Sequence, residues 1–152
     1  MKTERTKRSD RLFIIRTKTL LYRPLPEMRS MAVIDLVNIV EQRLADIARR
    51  NPSLTTEELF FAGENGLWCL ITIRGSEDRT IEHDFIESEE SWNRPDAVTE
   101  YAQAAMDMIK VMVIVPDRAL PDVLLQVRNY DAEGVSVADY TFLGLMPMPL
   151  IY

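Results

Sequence analysis

Apolar residues follow two different spacings along this chain, and the change from one to the other marks its elements. From residue 27 to residue 50, Val33, Val37, Val40, Leu44 and Ile47 recur at intervals of four, three, four and three. That spacing predicts one face of an amphipathic helix. Glu41, Arg43, Asp46, Arg49 and Arg50 are assigned to its outer face. Pro26 suits the first turn, where a missing N–H costs little. Arg49 and Arg50 suit the negative end of the helix dipole, and Asn51-Pro52 stops the helix. At 1.5 Å per residue such a helix is roughly 35 Å long.

Elsewhere the apolar runs are short and β-rich. Leu12–Ile15 and Leu20–Tyr22 read as extended segments, broken by Pro24 and Pro26. Thr55–Glu58 matches a capping box, which predicts a short helix through Phe61. The rival reading is a strand at Leu59–Ala62 that turns at Glu64-Asn65-Gly66, since Asn-Gly favours tight hairpin turns. Leu67–Arg74 is a nearly continuous apolar run and predicts a buried strand. Gly75–Asp78 is turn chemistry. Thr80–Glu87 predicts a second strand, antiparallel to the first. It puts Ile81, His83 and Phe85 on one face and Glu82, Asp84 and Ile86 on the other. Residues 88–95 read as a polar loop.

The second half alternates helix and strand. Val98, Ala102, Ala105, Met106 and Ile109 predict a helix over 96–110. Val111–Val115 reads as a buried, central, parallel strand. Leu120–Val127 predicts another helix, and Val135–Ala138 a last strand parallel to its predecessor. The tail places eight large apolar or aromatic side chains in residues 142–152, with Pro147 and Pro149 forbidding a helix. It either docks on its own domain or reaches a neighbour, and the favoured outcome is a homodimer. The predicted fold class is α/β. It is a single-domain mixed sheet with an antiparallel hairpin, parallel C-terminal strands and flanking helices. Residues 1–10 form a flexible basic arm, and 11–152 form the domain with its apolar extended tail.

Composition changes this picture mainly through charge. The chain has 152 residues, 47% apolar and 28% charged, which suits one soluble globular domain. It has no apolar run long enough to span a membrane and no apolar leader. With one cysteine, Cys69, the expected setting is cytoplasmic. Residues 1–29 carry nine basic and three acidic side chains; the other 123 residues carry nine basic and 21 acidic ones. A +6 arm therefore precedes a −12 body. Lys2, Arg5, Lys7, Arg8 and Arg11 are the candidate contacts to nucleic-acid phosphates. The alternatives are a merely solvated terminus and an arm that pairs with the acidic stretch from Glu77 to Glu100.

Candidate chemistry is sparse. His83 is the one histidine, flanked by Glu82 and Asp84, with Glu87 beyond. Glu82, Asp84 and Glu87 are the candidate ligands for a divalent metal, and no other cofactor is expected. The plainer alternative is a solvated acidic strand face. Cys69 lies in an apolar run, where a thiol is inert. There is no glycine-rich phosphate loop and no zinc-ligand spacing.

Residues 94–117, RPDAVTEYAQAAMDMIKVMVIVPD, and then LPDVLLQVRNYDAEGVSVADY resemble the back half of the PD-(D/E)XK, or restriction-endonuclease-like, superfamily. The order of long helix, hairpin strands, helix and strand is similar to that family's core over roughly 27–139. The resemblance implies metal-dependent phosphodiester chemistry from an acid on one hairpin strand and acid-x-Lys on the next. Here LWCLITIR carries no acid, and Asp84 stands where Lys is expected after Glu82. The implied function is a non-catalytic nuclease-like domain acting in assembly or nucleic-acid-linked binding, and whether the chain is an enzyme stays open. The alternatives are a homo-oligomeric interaction module without nucleic acid and a metal-dependent hydrolase built on Glu82, Asp84 and Glu87.

Overall fold

The computed structural model describes residues 13–15 and 31–147. The predicted extended run at 20–22, the helix start at 27–30 and the end of the tail at 148–152 lie outside the described residues. So do Lys2, Arg5, Lys7, Arg8 and Arg11.

The elements are β1 (Phe13–Ile15), α1 (Met31–Arg50), β2 (Thr55–Gly63), β3 (Gly66–Arg74), β4 (Thr80–Ile86), α2 (Ala97–Ala104), β5 (Lys110–Val115), α3 (Leu120–Tyr130) and β6 (Val135–Asp139). The six strands form one sheet in chain order. β1 to β4 pair antiparallel in succession, while β4, β5 and β6 run parallel. The fold is thus an α/β single domain with a mixed sheet. Among the described residues no helix is long and apolar enough to cross a membrane.

Alternation along the strands builds two cores, one on each face of the sheet. Leu36, Ile39, Val40 and Ile47 of α1 cover Phe60, Cys69, Ile71, Ile86 and Ile114 on one face. On the other, Ala97 and Tyr101 of α2 and Val123 and Val127 of α3 cover Trp68, Phe85, Val111, Val113 and Val115. An aromatic line reinforces the second core. Phe61 stacks on Trp68 at 4.2 Å, and Phe85 meets Tyr101 edge-on at 4.9 Å.

Four expectations change. Thr55–Glu58 is not a capping box but the start of β2, paired residue for residue with Ile71–Arg74. The nine-pair ladder with β3 outweighs one cap. The two-residue turn at Glu64-Asn65 closes it, with Gly66 at φ +85°, where glycine carries no Cβ penalty. The helix over 96–110 ends at Ala104. Asp107 and Met108 then take left-handed backbone, which redirects the chain into β5 at Lys110. Pairing on both sides of β5 overrides helix propensity there. β5 is interior but fifth of six strands, so it is not central; β3 and β4 are. Finally, the loop at 88–95 is polar but not solvated throughout: Ser88, Ser91 and Arg94 are buried.

The described part of the tail docks in cis. Tyr140 and Leu145 are buried in the α1-side core. Gln42 Nε2 donates to the Met146 carbonyl at 2.8 Å, and the Met146 N–H donates back to Gln42 Oε1 at 2.9 Å.

Candidate functional site

The buried charges of the α1-side face collect around Arg43. Helical spacing explains its position: Leu36, Ile39, Val40, Arg43 and Ile47 recur at three and four, so Arg43 points at the sheet with the apolar residues. β4 supplies the counter-charges. Glu82, Asp84 and Ile86 share one strand face, and Ile86 lies in the core that α1 covers. Arg43 Nε donates to Asp84 Oδ2 at 2.8 Å. Its two terminal nitrogens lie 3.7 Å from Glu82 Oε2 and 3.7 Å from Asp46 Oδ2. One guanidinium thus faces three carboxylates from two elements. Asp46 is also held by Arg49 at 2.5 Å and Arg50 at 3.3 Å. Lys110 reaches Glu82 from β5 at 3.9 Å.

This placement corrects two sequence readings. Arg43 and Asp46 are buried, not on the outer face of the helix. Asp84 is 0% exposed, so Glu82 and Asp84 do not form a solvated acidic strand face. Burial drives the Glu82 carboxyl up from 4.5 to about 8, helped by its hydrogen bond to Asp84 and the negative charge there. Lys110 and Arg43 oppose the shift and do not cancel it. Glu82 is therefore the member of the pair that keeps a proton near neutrality.

Glu87 belongs to a different node. It is fully buried just past β4. Its Oε1 accepts from Ser91 Oγ at 2.6 Å and from Arg94 Nη1, and its Oε2 accepts from Tyr101 Oη at 2.6 Å. Arg94 lies 3.6 Å over the Trp68 ring and donates to Glu100 at 2.7 Å. This node ties the 87–97 loop to α2. Burial, then the Glu87 charge, pushes the Tyr101 hydroxyl well up, so it stays a donor.

The proposed metal trio is therefore divided: Glu82 and Asp84 surround Arg43, and Glu87 is saturated by hydroxyls and Arg94. Among the described residues no group of three or more His, Cys, Asp or Glu side chains is arranged to hold a metal ion. The donor set does not fit a resident divalent cation. Such an ion needs carboxylate oxygens converging at about 2.0–2.6 Å, and here the guanidinium stands among them. His83 faces away, within 3.2 Å of Thr72 Oγ1, and burial lowers its pKa. Cys69 is buried, and desolvation raises its thiol well above the ordinary value, so it is inert.

Sequence reasoning missed Arg43. The available signal was that Leu36 and Ile39 extend the helical stripe, and position 43 then falls on it. No protein-family model, no curated protein and no solved structure matches the chain.

Proposed function

We propose that the chain is a non-catalytic, nuclease-like α/β domain that binds nucleic acid through its basic N-terminal arm. The observation that carries the reading is Arg43. Its guanidinium lies among Asp46, Glu82 and Asp84, supplying from within the chain the positive charge that a nuclease-like site would take from a metal. An arginine is permanently charged and presents five donors in a fixed fork, so it is a lasting substitute. The order of α1, the β2–β4 strands, α2 and β5 agrees with the resemblance noted in the sequence. With the carboxylates neutralised, chemistry is lost and binding remains. The charge split assigns that binding to Lys2, Arg5, Lys7, Arg8 and Arg11, because the −12 body repels a polyanion.

Fluorescence anisotropy of a labelled duplex with the full chain tests this. Five phosphate contacts give a slope of log K against log salt of about −4.5, or about 500-fold weaker binding from 50 to 200 mM. Deleting residues 1–11 should abolish binding. Binding that survives the deletion, or that ignores salt, refutes the reading.

A second reading is a homo-oligomeric interaction module, favoured by Phe142. This aromatic residue is 80% exposed, and Met146 nearby is exposed as well. Light scattering at micromolar concentration would show a dimer that Phe142→Asp converts to monomer. A monomeric intact chain refutes it.

A further inference from the structure

The three parallel strands deliver their C-terminal ends to one cavity of about 460 Å³. Ser88 and Glu89 enter it after β4, Asp117 and Arg118 after β5, and Tyr140 and Thr141 after β6. Asp35 and Leu36 of α1 close one side. Ligands of open α/β sheets gather outside the carboxyl ends of the strands. The volume falls in the range of small-molecule sites, about 300–1,000 Å³.

The wall is apolar with a negative bias. Leu36, Pro116, Pro147 and the Tyr140 ring supply the apolar part. Three carboxylates face one guanidinium, and their partners can be accounted for. Arg118 Nε donates to Glu89 Oε1 at 2.6 Å, so that pair is neutral. Asp117 accepts from the Thr141 N–H at 3.0 Å and from the Thr141 hydroxyl. Tyr140 Oη donates to the Glu87 carbonyl at 2.5 Å. Asp35 is left over: its Oδ1 is buried and has no hydrogen-bond partner. The residue as a whole is only partly buried, and desolvation raises its pKa above the ordinary 3.8. The Tyr140 hydroxyl senses the same field. Burial pushes its pKa up, and the charges of Glu87, Glu89, Asp35 and Asp117 add to the effect.

We infer that this cavity binds a small organic ammonium compound, with its N–H donors on Asp35 and its apolar body against Leu36, Pro116 and Tyr140. A carboxylate ligand of the same shape is rejected, because it would add a negative charge beside Asp35 and Asp117. This site is independent of the nucleic-acid reading, and neither result bears on the other.

The test uses the full chain and two probes of equal size, phenethylammonium and phenylacetate, followed by two-dimensional NMR. The expected result is that the ammonium compound shifts the amides of Ser88, Glu89, Asp117, Arg118 and Thr141 and that phenylacetate does not. Asp35→Asn, which keeps the side-chain shape, should weaken ammonium binding by about tenfold. Asp122→Asn, on α3 outside the cavity, should leave it unchanged. Absence of cavity shifts, equal shifts from both probes, or unaltered affinity in Asp35→Asn overturns the inference. The comparison of probes on the unaltered chain decides the matter even if Asp35→Asn fails to fold.

Discussion

Replacing Arg43 by Met keeps most of the side-chain volume and removes the guanidinium. Asp84 is then left at 0% exposure without its donor at 2.8 Å, and Asp46 and Glu82 lose a shared cation. Removing one partner of a buried ion pair costs about 3–5 kcal/mol, because the other charge stays buried and uncompensated. That is a large part of the about 5–15 kcal/mol that holds a domain together. For a chain of this size it lowers Tm by about 10–20 °C. Urea unfolding at pH 8 reads the loss. Adding Asp84→Asn to the variant should return part of it, since the orphaned charge is gone. The double-mutant cycle should therefore show strong coupling. Acidifying to pH 5 should also recover part, because a protonated carboxyl needs no cation. A variant as stable as the parent at pH 8, or strictly additive losses from the two substitutions, would refute the account of Arg43.

Three further outcomes follow from the same structure. Glu82 releases its proton at 4.5 when unfolded and at about 8 when folded. The folded state therefore binds more protons between those values, and this group's contribution to stability falls as pH rises from about 4.5 to about 8. Glu82→Gln should flatten that slope in denaturation curves taken across the window. Ile114→Asp places a charge at a fully buried position between β4 and β6. It should cost several kcal/mol and leave no cooperative melt; a soluble, folded variant contradicts this. Tyr101→Phe removes the donor at 2.6 Å from buried Glu87 and should cost about 1–3 kcal/mol in urea unfolding.

The strands and helices were legible where one period dominated. Leu67–Arg74 and Val111–Val115 are continuous apolar runs, and both are buried strands. Val40 and Ile47 mark the inward face of α1. Local signals misled where tertiary pairing opposed them. The Thr55–Glu58 cap pattern yields to the ladder with β3, and the helical spacing through Ile109 yields to β5. The site was half legible. Glu82 and Asp84 stand together on one strand face, as alternation requires. Their buried partner comes from 41 residues away, and only the extension of the helical stripe through Leu36 and Ile39 marks position 43 as facing the sheet. Glu87 is close to them in sequence but not in space. The strand ends at Ile86, and past that point alternation no longer determines direction.

The proposed function rests on Arg43 supplying the positive charge that a metal would bring to a nuclease-like site. Incubating the full chain with a labelled duplex and Mg²⁺ or Mn²⁺, under conditions where the duplex is bound, tests it most directly. The account predicts that the duplex is retained intact. Metal-dependent cleavage that disappears in Asp84→Asn would contradict it, since Asp84 would then be serving a metal rather than Arg43.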